Sequence, residues 1–470
     1  MRQTVCVLPD PDLPAGVDLP VRAVLPAVLV AVAAGGTAVL VAPPGSGKTT
    51  LVPLAVAGRV PGRVVVAEPR RVAARAAARR MAALVGVEVG GAVGYSVRGD
   101  SRCGPATRVE VVTTGLLIAR LQRDPDLPGV GAVLLDECHE RQLDADLALA
   151  FTVDMRETLR PDLLLLAMSA TAQADRLAGC LGGPRGPAPV IRAHAATHPV
   201  EVFWCPPLRR LDAPHGTRVD PRLLDHVAAT VRRVLREADG DVLVFLPGVA
   251  EINGVAGRLA DLDGPLDVLA LHGRLPAATQ DAALRPGPRR RVVLASAVAE
   301  SSLTVPGVRT VVDAGLSRVP RTDHARGLGA LVTVRVSRAS AEQRAGRAGR
   351  EAPGRVYRCW PAAEHDRLPV QAEPEIAVAD LTDFALQLAC WGHPDGAGAR
   401  APRRAAGRGH DGSGDHVAGA GRDRRRRAGD RPRAGHGGRG RPSPVGPRTT
   451  RRRWAGWYRP RGADRGSAHR

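Results

Sequence analysis

The chain of 470 residues contains one lysine, Lys48, beside 66 arginines, and that lysine lies in a pattern suited to binding phosphate. The pattern, residues 42–49, reads Ala-Pro-Pro-Gly-Ser-Gly-Lys-Thr between an apolar run and a helical-looking run. In such a strand, turn and helix the backbone N–H groups surround phosphates, the lysine reaches the β and γ oxygens, and the threonine hydroxyl ligates Mg²⁺. A planar guanidinium cannot replace the compact ammonium there, which explains the single lysine. We therefore predict a nucleotide-binding P-loop made of Pro44, Gly45, Ser46, Gly47, Lys48, Thr49 and Thr50.

An acidic pair at the end of another apolar run could bind the metal ion that accompanies the nucleotide. The run 132–136 leads into Asp136-Glu137-Cys138-His139. The carboxyl ends of parallel strands lie at one edge of a sheet, so Asp136 could hold the Mg²⁺ that Thr49 also touches. Glu137 would then polarise the attacking water. We predict Thr49, Asp136 and Glu137 as the metal-binding residues.

Two arginines spaced one helical turn apart lie near the end of the apolar-rich region. The segment 343–350 reads Gln-Arg-Ala-Gly-Arg-Ala-Gly-Arg and is predicted to open a helix. Arg347 and Arg350 would share one face, where both could reach a γ-phosphate on a facing domain and stabilise charge during phosphoryl transfer. A solvated basic helix face is the alternative, and it would be favoured if the P-loop were absent.

The elements that must position these residues are short β-branched runs that alternate with helical stretches. Such alternation predicts parallel sheets, and two series separated by a Gly/Pro-rich stretch predict two α/β domains in tandem. The boundary is expected between Gly182 and Pro199, and a helical segment from Ile376 to Cys390 is expected to begin a third domain. The strands are predicted at 37–42, 64–67, 109–113, 132–136, 163–169, 200–204, 241–247, 267–272, 291–296 and 308–313.

Composition argues against a membrane protein, a disulfide-rich protein and a zinc protein, and it sets the tail apart from the rest of the chain. The net charge is +20, but residues 401–470 hold 20 Arg and 5 Asp with neither Lys nor Glu, so most of that charge belongs to the tail. The tail also has no Ile, Leu, Met or Phe, which predicts disorder unless it is bound. Seven scattered cysteines without a CxxC pair favour a reducing cytoplasm over a disulfide framework or a zinc site. We expect neither a membrane span nor a signal peptide.

Two interpretations of the tail stay open. A frameshift near Gly398 in a high-GC gene would replace downstream domains with out-of-frame text rich in Arg, Gly, Ala and Pro. Alternatively, a native Arg-rich tail would hold RNA through its phosphates, with an affinity that falls steeply as salt rises. Reading the coding DNA in the other two frames distinguishes these interpretations.

Taken in order, the segments resemble the DEAH branch of the superfamily 2 helicases, and most closely its bacterial HrpB type. The departures are Cys138, where the family often has Phe or Ala, and Ala295-Ser296-Ala297, where Ala-Thr-Asn is usual. Eight motifs carry the resemblance, namely 42–49 (motif I), 68–75 (Ia), 113–115 (Ib), 136–141 (II), 169–171 (III), 245–252 (IV), 295–304 (V) and 343–350 (VI).

The resemblance implies two RecA-like P-loop NTPase domains that close on ATP. They would occupy residues 18–185 and 195–365, followed by the start of a winged-helix or helical domain at 366–398 and a disordered basic tail at 399–470. The catalytic residues implied are Lys48, Glu137, His139, Gln343, Arg347 and Arg350. Single-stranded nucleic acid, with RNA favoured over DNA, would be met by Arg70, Arg71, Thr113, Thr114, Gly115, Ser296 and Thr304.

The predicted function is a cytoplasmic ATP-dependent helicase that uses Mg²⁺. Other NTPs are admitted as well, because the Gln motif of DEAD-box proteins is absent. Residues 317–336 resemble the strand-separating hairpin of DEAH proteins, and an ordinary surface hairpin is an equal alternative. Two other functions stay open: an RNA-stimulated NTPase that remodels RNA–protein complexes without unwinding, and a truncated, inactive nucleic-acid-binding remnant. No protein partner and no unwinding polarity can be inferred.

Overall fold

Two mainly parallel β-sheets, each with helices on both faces, follow one another along the chain. The computed structural model describes residues 19–170, 174–184, 186–194, 198–262, 265–301, 303–323 and 328–393. The predicted tail at 399–470, Thr171 of motif III and part of the turn in the predicted hairpin lie outside the described residues.

The first sheet has eight strands in the order β4-β3-β5-β2-β6-β7-β1-β8, and every pair is parallel except β3 with β4. Its central strands are almost continuously apolar and buried, as expected when helices cover both faces of a parallel sheet. The strands are β1 (Thr37–Val41), β2 (Arg63–Glu68), β3 (Val93–Val97), β4 (Asp100–Arg102), β5 (Val109–Thr113), β6 (Val130–Leu135), β7 (Leu164–Ser169) and β8 (Val190–Arg192).

Six helices cover this sheet. The first three pack into one apolar core and the next three into a second core on the opposite face. They are α1 (Leu25–Gly35), α2 (Lys48–Ala57), α3 (Arg71–Leu84), α4 (Thr114–Arg123), α5 (Leu143–Thr158) and α6 (Ala174–Leu181), with short 3₁₀ turns at Pro20–Val24 and Cys138–Glu140.

The second sheet has six parallel strands in the order β11-β12-β10-β13-β16-β9. An antiparallel hairpin, β14 with β15, projects from the same domain. The strands are β9 (Val200–Trp204), β10 (Asp241–Phe245), β11 (Leu266–Leu271), β12 (Arg290–Ala295), β13 (Val308–Asp313), β14 (Leu316–Asp323), β15 (Leu328–Arg335) and β16 (Gly354–Arg358). The helices are α7 (Pro221–Glu237), α8 (Val249–Arg258), α9 (Ala277–Leu284), α10 (Arg338–Ala345) and α11 (Ala362–His365), with a 3₁₀ turn at Ala297–Ala299.

The chain returns to the first domain after the second sheet is complete. A 3₁₀ turn, Glu375–Ala377, precedes α12 (Thr382–Cys390), and the apolar residues of both pack into the core formed by α4 and α5. Trp391 stacks on Phe151 with ring centroids 4.2 Å apart, and its indole N–H donates to Asp154 at 2.8 Å. The predicted helix at 376–390 therefore exists in a shorter form, packed on the first domain.

The predicted fold class, two α/β domains with parallel sheets, is confirmed. The segment 182–199, predicted to be the boundary, contains β8, which pairs with β1 and extends the first sheet to Arg192. Three residues are too few to give a strand signal in the sequence. Within the described ranges, the helices are all too short or too polar to cross a bilayer.

Candidate functional site

The turn between β1 and α2 has the backbone conformation that a phosphate cradle requires. Gly45 and Gly47 have φ values of 85° and 92°, in the left-handed region where side chains are strained. A Cβ added to Gly47 would also lie 2.8 Å from the Leu19 side chain, because residues before α1 pack against this turn. These positions therefore require glycine, and α2 begins at Lys48 with its free N–H groups facing the turn.

The P-loop and the acidic pair meet at the carboxyl edge of the first sheet. The Lys48 ammonium donates to Glu137 Oε1 at 3.1 Å and lies 3.9 Å from Asp136 Oδ1. The Thr49 hydroxyl donates to Asp136 Oδ2 at 2.5 Å. All of these groups are buried or nearly so, which makes their mutual charges strong.

Burial and neighbouring charges act in opposite directions on the pKa values here. Burial lowers the pKa of Lys48, but the Glu137 and Asp136 carboxylates outweigh it and the net pKa is raised. Burial raises the pKa of Glu137, yet Lys48 and His139 bring it down to about 2. Asp136 keeps a raised pKa, because burial exceeds the effect of Lys48. The ammonium of Lys48 and the carboxylate of Glu137 thus form a charged pair at neutral pH.

A third carboxyl group, which received no role from the sequence, lies beside this pair. Glu68 ends β2, next to β6, and its side chain is fully buried. Burial, followed by the charges of Asp136 and Glu137, raises its pKa well above the ordinary value. The signal that could have found it is its place in motif Ia, at the end of the strand adjacent to the one that bears Asp136.

The residues present fit a nucleoside triphosphate with Mg²⁺. Ser46 Oγ and Glu137 Oε2 are buried polar atoms that lack a protein hydrogen-bond partner, which bound phosphate, metal or water would satisfy. The glycine cradle, the ammonium and the hydroxyl–carboxylate pair of Thr49 and Asp136 supply donors to phosphate and oxygen ligands to Mg²⁺. Among the described residues, no separate cluster of His, Cys, Asp and Glu could hold a metal.

The second domain contributes Gln343 and Arg350 to the same site. Gln343 Nε2 lies 3.0 Å from His139 Nε2, and His139 Nδ1 accepts from the Ala170 backbone N–H at 3.2 Å. Arg350 lies against the P-loop, since a Cβ on Gly45 would be 3.7 Å from its Nε. Motifs I, II, III and VI therefore meet across the two domains.

The prediction that residues 343–350 open a helix is wrong, because α10 ends at Ala345 and both Arg347 and Arg350 lie in the turns that follow. Arg347 is therefore placed differently from Arg350, its predicted partner on a helix face. Its guanidinium donates to Glu300 O at 2.9 Å and also to the carbonyls of Ser301 and Leu303. Burial, and then the neighbouring Arg350, lower its pKa well below the ordinary value. In this arrangement Arg347 holds the motif V backbone, and Arg350 is the guanidinium that faces the P-loop.

Arg70 and Thr304, two residues predicted to bind nucleic acid, have protein partners. Arg70 binds Glu140 through two bonds of 2.7 Å each, and it also donates to the Ser301 hydroxyl at 2.5 Å. The Thr304 hydroxyl accepts from Arg350 at 2.5 Å, which places Thr304 with the nucleotide-side residues. Each of these contacts joins residues of two different motifs. The sequence alone cannot show whether such a residue binds another motif or nucleic acid.

The remaining residues of that predicted set lie near strand ends. Thr113 ends β5, in register with Glu68 of β2, and Thr114 and Gly115 start α4. Ser296 follows β12 in the second domain. Arg71 begins α3 and is exposed.

Comparisons with known proteins agree with this geometry. Residues 22–178 match the DEAD/DEAH box helicase family, and residues 225–352 match the helicase conserved C-terminal domain. The chain is 45% identical over 384 residues to the ATP-dependent RNA helicase HrpB of Escherichia coli K12, covering 80% of this chain and 46% of that protein. It is 34% identical over 355 residues to the ATP-dependent RNA helicase HrpA of the same organism, covering 75% of this chain and 26% of that protein.

A solved structure is similar as well. The crystal structure of Escherichia coli DEAH/RHA helicase HrpB matches with a TM-score of 0.78 and 41% sequence identity, over 85% of this chain and 50% of that one. The chain spans about half the length of HrpB. The fold and the site together define a P-loop NTPase with two RecA-like domains of the helicase type. Within that class the chain belongs to the DEAH-box helicases of the HrpB type.

Proposed function

We propose that this chain is an ATP-dependent RNA helicase motor, which hydrolyses a nucleoside triphosphate between its two RecA-like domains. The observation that carries the proposal is the meeting of Lys48, Asp136 and Glu137 of one domain with Gln343 and Arg350 of the other. A site shared by two domains couples hydrolysis to their relative movement, because closure completes the catalytic residues and product release undoes it. The domains are proposed at residues 18–185 and 195–365.

Each residue has a proposed role in the reaction. The P-loop N–H groups and Lys48 bind the β- and γ-phosphates, and Glu137 accepts a proton from the attacking water. Bound Mg²⁺, held by Thr49 and Asp136, would supply charge neutralisation at the phosphate oxygens. Gln343 positions His139, and Arg350 stabilises the charge that develops on the γ-phosphate. Arg347 supports this arrangement through the motif V carbonyls that it binds.

The proposed nucleic-acid substrate is a single strand, RNA in preference to DNA. HrpB and HrpA are both named RNA helicases, which supports that choice. Arg71, Thr113, Thr114, Gly115 and Ser296 are proposed to contact its phosphates and sugars, which position the strand without reading its sequence. Arg70 would join them only after it leaves Glu140.

A second candidate is an RNA-stimulated NTPase that remodels RNA–protein complexes without unwinding. The nucleotide site supports it as well as it supports the helicase, because a site that hydrolyses ATP between two domains does not by itself require a duplex substrate. An RNA duplex with a single-stranded overhang, labelled on the shorter strand, distinguishes the two. ATP-dependent strand displacement by the intact chain is expected for the helicase, and ATP turnover without displacement would favour the second candidate. A chain that shows neither strand displacement nor ATP turnover would overturn both candidates and leave nucleic-acid binding without catalysis.

A further inference from the structure

The loop that carries the catalytic carboxylates is under backbone strain. We define the catalytic loop as residues 136–143. Glu137 and Arg141 have φ values of 52° and 54°, a left-handed conformation that is unfavourable for residues with a side chain. Such strain persists only where surrounding contacts hold it. The contacts on the catalytic loop therefore determine where Glu137 points.

Contacts from motifs Ia, III and VI hold the first part of this loop. His139 is bonded to Ala170 and Gln343, and Glu140 is paired with Arg70. The second part is held differently. Arg141 forms a buried ion pair with Asp146, at 2.9 Å, at the start of α5.

A segment beyond both sheets supplies a further contact on the second part of the loop. We define the strap as residues 373–381, between the second domain and α12. Glu375 donates its backbone N–H to Arg141 O at 3.2 Å, and its Oε2 accepts from the Leu143 N–H at 2.9 Å. Glu375 thus binds the backbone on both sides of Gln142, directly after the strained Arg141, although 232 positions separate it from Leu143. Ile376 and Leu381 anchor the strap in the core of the first domain.

The same strap also binds the β14–β15 hairpin of the second domain. The Thr322 N–H donates to Val378 O at 2.9 Å, and Arg321 pairs with Glu373 at 2.8 Å. A Cβ on Gly329, in β15, would lie 3.3 Å from Asp380 Cβ. Val378 is three positions after Glu375, at the end of the 3₁₀ turn that Glu375 begins, so one turn of the strap joins the loop contact to the hairpin contact.

We propose that the strap is a mechanical link between the catalytic loop of the first domain and the hairpin of the second, with Glu375 as the positioning residue. A rearrangement at Glu137–Arg141 during the nucleotide cycle would move Glu375 and, through Val378, the hairpin. The proposal rests on the proposed NTPase function only for the source of that movement. The contacts that form the link are present in the structure, and they can be tested without nucleotide.

The first test is hydrogen–deuterium exchange of the intact chain without nucleotide. Glu375→Ala removes the acceptor for the Leu143 N–H, and we expect exchange about tenfold faster in the catalytic loop and also at the Thr322 N–H. Glu375→Gln keeps an acceptor oxygen and should exchange like the wild type. Glu88→Ala, an exposed glutamate of the first domain, is the matched control.

A second variant perturbs the hairpin end of the strap, so the test still works if Glu375→Ala does not fold. Arg321→Ala removes the half-exposed pair with Glu373 on the hairpin side, and it should speed exchange at the Leu143 N–H. Faster exchange at both ends, from either variant that folds, supports the link. A change confined to the mutated end, or an equal change in Glu375→Gln, would overturn it.

A second measurement adds a nonhydrolysable ATP analogue with Mg²⁺ and follows Thr322 exchange. We expect the analogue to alter protection at Thr322 in the wild type and to leave it unaltered in Glu375→Ala, with analogue binding measured separately by fluorescence. Binding without any change at Thr322 in the wild type would overturn the link. Absence of binding would instead count against the proposed NTPase function, while the nucleotide-free exchange data still decide the link.

Discussion

Replacing Glu137 with glutamine separates nucleotide binding from nucleotide hydrolysis. Lys48 donates to Glu137 at 3.1 Å, and the same ammonium is proposed to bind the phosphates of the nucleotide. Glu137→Gln keeps the size of the side chain and an oxygen acceptor. It removes the negative charge and the capacity to accept a proton from water.

The contacts of Glu137 allow the change in hydrolysis rate and the change in nucleotide affinity to be estimated. Loss of a positioned general base lowers the hydrolysis rate by about 10²- to 10⁴-fold, equivalent to roughly 3–5 kcal/mol of activation free energy. The Coulomb attraction between unit charges 3.1 Å apart is about 5 kcal/mol at an effective dielectric constant of 20, most of which desolvation offsets. A net attraction of about 1–2 kcal/mol would remain in the wild type, and Lys48 must give it up to bind the phosphates. Glu137→Gln removes this cost, so nucleotide should bind about tenfold more tightly.

Single-turnover hydrolysis and fluorescent-nucleotide titration measure the two quantities on the same preparation. We expect a Glu137→Gln chain that binds MgATP at least as tightly as the wild type and hydrolyses it at most a hundredth as fast. Glu88→Gln, at an exposed position of the same domain, should leave both quantities unchanged. Hydrolysis within tenfold of the wild type would refute the role of Glu137 as base, and weaker binding would refute the reasoning from the Lys48 pair.

Three further predictions concern the second domain and the stability of the first. Arg350→Ala should lower single-turnover hydrolysis by about 10³-fold with little change in nucleotide affinity, and an equal loss of affinity would contradict a role confined to the transition state. Gln343→Ala, which removes the bond to the catalytic-loop histidine, should reduce RNA stimulation of turnover more than basal turnover, and equal reductions would count against it. Glu110 is buried, and burial raises its pKa, but hydrogen bonds from Arg120, a serine and Arg63 lower the pKa to about 2. The carboxylate therefore stabilises the fold above about pH 5, and this contribution is lost as the pH falls towards 2. Urea unfolding of Glu110→Gln should therefore show a loss of up to about 3 kcal/mol at pH 7 that shrinks towards pH 3, and a pH-independent loss would contradict this assignment.

The local parts of this protein could be predicted from its sequence. The P-loop and the acidic pair follow directly from apolar runs, and parallel strands bring their ends to one edge, so Lys48, Thr49, Asp136 and Glu137 meet as the spacing indicates. The strands β1, β2, β5, β6, β7 and β9 to β13 were predicted for the same reason, since they are short apolar runs. The buried strands β3 and β16 were missed, because glycine and polar residues interrupt their apolar pattern. β4 and β8 were missed because three residues on the edge of a sheet give little signal.

The contacts between distant segments could not be predicted. Arg347 has the sequence spacing of a second phosphate-facing arginine, but its backbone partners in motif V become visible only in the fold. Arg70 likewise reads as a phosphate contact, whereas a carboxylate and a hydroxyl from two domains surround it. The return of residues 375–391 to the first domain depends on tertiary packing against Phe151, for which the sequence carries no pattern.

Steady-state ATP hydrolysis by the intact chain, with and without single-stranded RNA, tests the shared nucleotide site most directly. The matched variant is Lys48→Arg, which keeps the charge and replaces the compact ammonium with a planar guanidinium. We predict turnover that RNA stimulates in the wild type and that Lys48→Arg abolishes. A folded wild-type chain without turnover, or equal turnover in Lys48→Arg, would contradict hydrolysis at the site formed by the two domains.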